Sequence, residues 1–589
     1  MKIDRISIRN FTSFREIEIR TPQIAVIVGE NDTGKTNIFR ALHPFFVEPS
    51  RPLEKNLWHK HNADYNVNIP IEVSVSLRLD EEQYDELFNP CLLSLLGARS
   101  AGREVVTKVL SKENPVTITK HFLFGSPHSC ADISWGKIAL AKVTHERKST
   151  EYLNVLNQHF LDEVGRQINS EKIDLIDNSY TKSEDVAGGG RESSGFDPVG
   201  YVGKRILEML PRGRFVIVPA IRSLTEEKDE RFTGISPAPD GTKIMNALFG
   251  LSTGSQQERR TFQIVKELFK EFFGLVIEGV SRDEQGRLII EVNDGKKIFP
   301  LSSYGTGTQQ ALTVLYNMVV SPRHVVALDE PTAHFHPHRQ RELMRAFRKL
   351  ANMGNQIVLT THSTIVVNNS SLSEIILLKK AEEEIVARQI KEPDELELEW
   401  RGAEPHVDPT KSEIFFARYV LVCEEPSTRM AINILAQDCG LNLDSLGVSV
   451  VDVGGCKGFK PILRLLKVFG IEGLIVRDAD AKEDLTDLID GNRVFSFSTD
   501  LEGAFGLERV VESLNDLYDL KLDATKLRNR IRPGTKLLGE IEATLSTRER
   551  REIKKPQLAR SLAEKCKGES LPKDFEMLFE KIREVAGLR

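Results

Sequence analysis

At 589 residues the chain is too long for one small domain, and at roughly 100–200 residues per domain it divides into about two to four units. Its 40% hydrophobic and 28% charged residues are ordinary globular composition and exclude fibrous and extensively disordered classes. The formal net charge of −6 names no partner, because an acidic total can hide a basic face. No apolar run approaches the roughly 18 residues of a membrane span, and the opening MKIDRISIRNFTSF has neither the apolar stretch nor the cleavage site of a secretory signal. Six scattered cysteines include no CxxC pair, which argues against zinc ribbons and a disulfide framework. The expectation is a multidomain cytoplasmic protein with no membrane association.

In chain order, strands are predicted at Lys2–Ile8, through Ile17 and Ile19, and at the apolar Ile24–Val28. The alternation IEVSVSLRL from Ile71 predicts a strand with one buried face. Residues 144–175 are helical in composition, and the Gly/Ser-rich stretch 183–203 reads as a loop. Together they suggest an insertion at about 145–210, a candidate dimerisation element. After a strand at Phe215–Val218, a helix near Gln257–Phe273 aligns Phe262, Val265, Phe269 and Phe272. Strands recur at Leu288–Val292, Val325–Leu328, Ile357–Thr360 and Ile375–Leu378. The acidic, proline-containing stretch Glu392–Pro409 reads as a boundary, giving domains at 1–400 and 411–589. Beyond it Tyr419–Val422, Met430–Cys439, Val448–Val453, Phe459–Phe469 and Leu474–Val476 alternate strand and helix, a second α/β unit.

The first unit carries Gly29-Glu30-Asn31-Asp32-Thr33-Gly34-Lys35-Thr36, a GxxxxGK[ST] match between an apolar strand and a helical stretch that starts at Asn37. In that context the pattern is a P-loop: backbone N–H groups cradle phosphates, Lys35 reaches the outer ones, and the Thr36 hydroxyl ligates Mg²⁺. The strand Val325–Leu328 ends in Asp329 and Glu330, suited to holding Mg²⁺ and polarising an attacking water at the γ-phosphate of ATP. Between them lies the Ser/Gly turn Leu301–Gln310, with Ser303 and Gly305, and after them the strand Ile357–Thr361 leads to His362, a candidate γ-phosphate sensor. His334, His336 and His338 read as a solvated loop. This order resembles the ABC-type ATPase heads of the SMC-like and DNA-repair group. The resemblance implies a composite ATP site in which Ser303 and Gly305 of one protomer close on the nucleotide of another, hence a homodimer or higher homo-oligomer. The turn departs from the LSGGQ pattern of that group.

The second unit places acids at strand ends: Glu424 after Tyr419–Cys423, and Asp478 and Asp480 after Leu474–Val476, about 54 residues later. Alternate residues at a strand end face the same way, so Asp478 and Asp480 can share a metal that Glu424 completes. Such a hard-oxygen site suits Mg²⁺, or Mn²⁺, and phosphodiester chemistry. The arrangement looks like a Toprim domain. An ABC ATPase followed by Toprim resembles the OLD (overcoming lysogenization defect) family of endonucleases, which includes the nuclease subunit of the Gabija defence system. The resemblance implies a DNA substrate, a role in anti-phage defence with a second defence-system protein as partner, further metal ligands at Asp500 and Glu502, and a catalytic lysine at Lys555. Against the family pattern Glu-Gly-x-Ser-Glu/Asp, Glu425 replaces the glycine and Thr428 the second acid. Lys482 replaces the third acid of topoisomerase-type Toprims, which leaves the first metal site intact and the second altered. Residues 521–567 hold 14 Lys/Arg against 6 Asp/Glu, a candidate track for a phosphate backbone. The leading expectation is an ATP-gated, metal-dependent DNA endonuclease or nickase. The competitors are a DNA-repair or sensor ATPase with a non-catalytic Toprim-like domain, and an ATP-regulated RNA or tRNA nuclease.

Overall fold

The computed structural model describes residues 2–46, 53–57, 69–79, 115–122, 129–135, 138–143, 215–220, 222, 237–321, 324–382, 384–390, 411–481, 483–532 and 535–586. The insertion assigned to about 145–210, the boundary stretch Glu392–Pro409 and Lys482 lie outside the described residues. The chain separates into two compact units, Met1–Ser370 with Glu374–Ala387, and Ser371–Ser373 with Arg388–Arg589.

The first unit is built on two large sheets. Strands β1 (Lys2–Phe11), β2 (Phe14–Arg20), β4 (Ile71–Arg78), β5 (Val116–Phe122), β6 (Ser129–Trp135) and β7 (Ile138–Val143) form an antiparallel sheet in the order β2-β1-β4-β5-β6-β7. The alternation in β4 does what a period of two requires: Ile71, Val73, Val75 and Leu77 are buried, while Ser74 and Ser76 meet Thr119 and Thr117 across the ladder at 2.8 Å. The second sheet has the order β15-β14-β3-β13-β12-β8, with β3 (Ile24–Gly29), β8 (Phe215–Val218), β12 (Val325–Leu328), β13 (Gln356–Thr360), β14 (Ile375–Ala381) and β15 (Glu384–Arg388). Strands β14, β3, β13, β12 and β8 run parallel, and β3, β12 and β13 are buried along their whole length, as befits strands covered on both faces. Helix α1 (Lys35–Phe46) follows β3 after the loop 30–34 and begins two residues before the expected Asn37.

The segment between β8 and β12 supplies helices α2 (Ile244–Thr253), α3 (Gln256–Phe273) and α4 (Thr306–Val320) and a small antiparallel sheet β11-β10-β9, from β9 (Val276–Arg282), β10 (Leu288–Asn293) and β11 (Ile298–Pro300). Helix α3 begins at a capping box, Ser255 with Glu258, ends at Gly274 in the left-handed region, and buries Phe262, Val265, Phe269 and Phe272 on its apolar face. Helix α5 (Pro337–Asn352) links β12 to β13. The two sheets are tied by Gln356 at the start of β13. Its amide donates to the carbonyls of Ile3 at 2.7 Å, Thr21 at 2.9 Å and Pro22 at 3.2 Å, and its carbonyl accepts the Ile3 N–H at 2.7 Å.

The second unit centres on four parallel strands in the order β17-β16-β18-β19, from β16 (Tyr419–Cys423), β17 (Val448–Asp452), β18 (Glu472–Arg477) and β19 (Val494–Ser496). Helix α6 (Pro426–Asp438) follows β16 and begins four residues before the expected Met430, because proline is pre-organised for a first helical turn. Helix α7 (Phe459–Phe469) has the expected bounds. The remainder is helical, including α8 (Leu501–Phe505), α9 (Leu507–Tyr518), α10 (Lys555–Lys565) and α11 (Lys573–Val585), and packs around Phe497, Phe505 and Phe575. Parallel strands share one C-terminal edge, so the acids after β16, β18 and β19 emerge together.

Gln356→Met keeps the side-chain volume and strips the Ile3 and Thr21 groups of their buried partner. A loss of about 2–4 kcal/mol is expected, read as a lowered urea midpoint for the N-terminal unit.

Candidate functional site

In the first unit the P-loop conformation depends on two glycines. Gly29 has φ 148°, and a Cβ there would sit 2.3 Å from the Leu378 carbonyl oxygen; Gly34 has φ 81° and would meet the Ser13 hydroxyl at 2.4 Å. Lys35 is buried and donates to the carbonyls of Gly29 at 2.9 Å and Glu30 at 2.6 Å. Burial holds its ammonium below the usual lysine range against the pull of Glu330, Asp32 and Asp329. Asn37 donates to the Ser13 hydroxyl at 3.1 Å, and Asn31 is exposed.

Asp329 is the meeting point. Its Oδ1 accepts from the Thr36 hydroxyl at 3.2 Å and from the Thr360 hydroxyl at 2.5 Å, so the start of α1 and the ends of β12 and β13 are joined through one carboxylate. Glu330 lies beside it. Its carboxylate accepts the His362 N–H at 3.3 Å, with His362 Nε2 3.6 Å from Oε1. Burial pushes the Glu330 carboxyl up, with Asp329 adding to the effect, and burial next to Lys35 pushes the His362 imidazole down. A more basic Glu330 facing a neutral histidine suits proton acceptance from water. Thr36 and Asp329 are the oxygen donors that would hold a divalent ion with the nucleotide. Ser303 and Gly305 flank the turn before α4 and are exposed, and among the described residues no hydrogen bond joins that turn to the P-loop. Gln309 braces the turn by donating to the Tyr304 carbonyl at 2.9 Å.

In the second unit Glu424, Asp478, Asp500 and Glu502 gather at the C-terminal edge of the sheet. Asp500 is 2% exposed and caps α8 by accepting from Gly503 N–H at 2.9 Å. The turn that leads to it is fixed by Asp574 of α11, which accepts from the Ser498 N–H and hydroxyl, each at 2.7 Å. Burial raises the carboxyls of Glu424 and Asp478, helped by Asp478 and Asp500 respectively; Glu502 is pushed up to about 7 by burial and then by Asp500. Two lysines answer this negative charge. Lys536 bridges Asp478 at 3.1 Å and Asp480 at 3.2 Å, and Lys555 sits on Glu425 at 2.9 and 3.0 Å. Burial works to lower the Lys555 ammonium, but Glu425 and Glu502 outweigh it and hold it above the usual range.

Among the described residues no group of three or more His, Cys, Asp or Glu is spaced to hold a metal ion as it stands. The chemistry of the donors nevertheless suits a divalent cation. Glu424 Oε2 is buried without a hydrogen-bond partner among the described residues, and neighbouring carboxyls are raised by desolvation and mutual repulsion, a strain that a hard cation relieves.

Residues 415–480 match the family model "Overcoming lysogenization defect protein-like, TOPRIM domain", residues 1–188 match "AAA ATPase domain", and a further AAA-domain model covers 216–368. The chain is thus similar to AAA ATPase domains in its first unit and to an OLD-like Toprim domain over residues 415–480. Among curated proteins the chain is 25% identical over 205 residues to the OLD nuclease of Thermus scotoductus, 33% of this chain and 38% of that protein. It is 32% identical over 103 residues to Endonuclease GajA of Bacillus cereus, 17% of each. The alignments thus span well under half the length of these relatives. Among solved structures, the SMC head domain from Thermotoga maritima aligns with 67% of this chain and all of its own at 12% identity and a TM-score of 0.33. The two domain types imply use of a nucleotide and a divalent metal.

Several expectations for the OLD-like site change in detail. Asp478 and Asp480 do not alternate on a strand, since β18 stops at Arg477; they sit in the following turn, with Asp478 mostly buried and Asp480 60% exposed. Both carboxylates pair with the Lys536 ammonium. The basic stretch 521–567 is less free than its composition suggests, because Arg528, Arg560, Lys565, Lys536 and Lys555 are all engaged by carboxylates. Four neighbours of the site residues were not singled out by the sequence. Thr360, Arg222, Lys536 and Asp574 each reach across distant chain; Thr360, at the end of a strand leading to His362, and Lys536, within the basic stretch 521–567, carried a local signal. No helix among the described residues is long and apolar enough to cross a membrane.

Because Glu502 is raised from 4.5 to about 7, the folded unit holds a proton between those values that the unfolded chain releases. Raising pH through that window therefore lowers the stability of the metal-free unit. Glu502→Gln should flatten that slope in urea titrations at pH 5, 6, 7 and 8. Divalent-ion affinity, by contrast, should rise across pH 6–8 in the unmodified protein.

Proposed function

We propose that the chain is an ATP-hydrolysing, divalent-metal-dependent DNA endonuclease or nickase, with its Toprim site gated by nucleotide state. The observation that carries the ATPase half is the convergence of Thr36 and Thr360 on Asp329, with Glu330 between Asp329 and His362. Lys35 would hold the outer phosphates, Glu330 would accept a proton from the attacking water, and the leaving oxygen would remain on ADP. Gly29, Gly34, Asn31 and Asn37 would shape and bind the phosphate cradle. The exposed Ser303 and Gly305 support closure on the nucleotide of a second protomer, and so a homo-oligomer.

For the nuclease half, Glu424, Asp478, Asp500 and Glu502 would hold Mg²⁺ or Mn²⁺, with Asp480 at the rim. The ion supplies water activation and charge neutralisation at the scissile phosphate. Lys555, once released from Glu425, would face the extra negative charge of the pentavalent phosphate. The names of the OLD nuclease and Endonuclease GajA support a nuclease acting on DNA, and a place in anti-phage defence with a second protein is what the resemblance to the OLD family implies. A second reading, a Toprim unit that binds without cutting, draws on Glu425, whose carboxylate neutralises Lys555.

Supercoiled plasmid, linear DNA and total tRNA incubated with Mg²⁺ or Mn²⁺ separate these readings. Plasmid nicking that falls at least about 100-fold in Asp478→Ala supports the Toprim assignment, and a changed rate with ATP that disappears in Lys35→Ala supports gating. Cleavage of tRNA alone moves the substrate to RNA. ATP hydrolysis with no cleavage under either metal favours the binding-only unit.

A further inference from the structure

We propose that Arg222 is a positioning residue of the ATP-hydrolysing centre and acts through Glu330. The proposal rests on the ATPase reading above. Arg222 follows β8, which pairs in parallel with β12 so that Val218 lies opposite Leu328 and its carbonyl accepts the Asp329 N–H at 2.9 Å. The side chain is 4% exposed, and its Nη2 donates to the Glu330 carbonyl at 2.8 Å. Its Nε and Nη1 are buried with no hydrogen-bond partner among the described residues. Buried guanidinium donors left unpaired are uncommon and call for a reason. Burial disfavours this charge, and attraction to the Asp329 and Glu330 carboxylates offsets only part of that cost.

The reason lies in the Glu330 backbone. Glu330 has φ 44°, a left-handed conformation that side-chain-bearing residues rarely adopt, and it precedes Pro331, whose ring favours an extended preceding residue. Such strain persists only where the surroundings hold it. Three contacts do so here: the Glu330 N–H donates to the Thr360 hydroxyl at 3.1 Å, its carbonyl accepts the Ala333 N–H at 3.2 Å, and the same carbonyl accepts Arg222. Among the described residues, Arg222 is the side chain that fixes this carbonyl. Rotation of the peptide out of the left-handed region would swing the Glu330 carboxylate away from His362, and with it the group that faces the attacking water. Arginine suits the position because its planar fork can hold one carbonyl while its charge faces both acids.

Steady-state ATP hydrolysis by the full chain tests this with Arg222→Met, Arg222→Lys, Glu330→Gln and the Arg222→Met/Glu330→Gln double variant, each checked by thermal melting. The expected result is a kcat about 30-fold lower in Arg222→Met with KM for ATP within about threefold, partial recovery in Arg222→Lys, and a double variant no slower than Glu330→Gln. The proposal is overturned if Arg222→Met turns over within about twofold of the unmodified protein, if KM rises while kcat holds, or if it slows the Glu330→Gln background a further tenfold. Should Arg222→Met melt early, Arg222→Lys and its double with Glu330→Gln are read by the same criteria. Unmodified protein that hydrolyses no ATP sensitive to Lys35→Ala would sink the ATPase reading and this proposal together. ATPase that is sensitive to Lys35→Ala but indifferent to Arg222 sinks this proposal alone.

Discussion

The carboxylate of Asp329 is held from two sides, by the Thr36 hydroxyl at the start of α1 and the Thr360 hydroxyl at the end of β13. Because both bonds end on the same oxygen, they tie the start of α1 to the ends of β12 and β13 at one point. The P-loop after β3, the acid pair after β12 and His362 beyond β13 are brought within reach of one another by that shared acceptor. Burial then does the electrostatic work: it lowers Lys35 and His362 and raises Glu330. The first unit thus gathers Lys35, Asp329, Glu330 and His362 around one partly buried corner.

The second unit reaches a comparable concentration of charge by a different route. Four parallel strands deliver Glu424, Asp478 and Asp500 to one edge, and α8 adds Glu502. Carboxylates forced this close repel one another, and two lysines from remote parts of the chain limit the repulsion. Lys536 spans Asp478 and Asp480, while Lys555 pairs with Glu425, the residue that stands where glycine is usual in OLD-type sequences. Charge balance within the unit is therefore local and cationic, and Glu424 Oε2 is left as a buried acceptor without a partner among the described residues.

Much of the architecture was legible because burial imposes a period. The uninterrupted apolar runs at β3 and β12 announced strands covered on both faces, and the IEVSVSLR alternation announced a sheet with one buried face. The Phe262–Phe272 stripe of α3 and the span Phe459–Phe469 came out as the hydrophobic spacing required. The strands β5, β6 and β7 were harder, since VTITKHF and its neighbours are short, mixed in polarity and recognisable only once paired in the sheet. The helix after β16 was placed late because the apolar residues that signal it begin after its proline-led first turn.

The sequence by itself determined which residue types would stand at the strand ends: the P-loop glycines and Lys35, the Asp329–Glu330 pair, and Glu424, Asp478 and Asp480. Those identities follow from local pattern, where a few neighbouring residues fix both conformation and chemistry. Only the tertiary structure decided what each group touches. Thr360 reaches Asp329 across 31 positions, Arg222 reaches Glu330 across 108, and Lys536 reaches Asp478 across 58. No local periodicity encodes such meetings, because they depend on strand order and on which side chains remain in need of a partner once the core has closed.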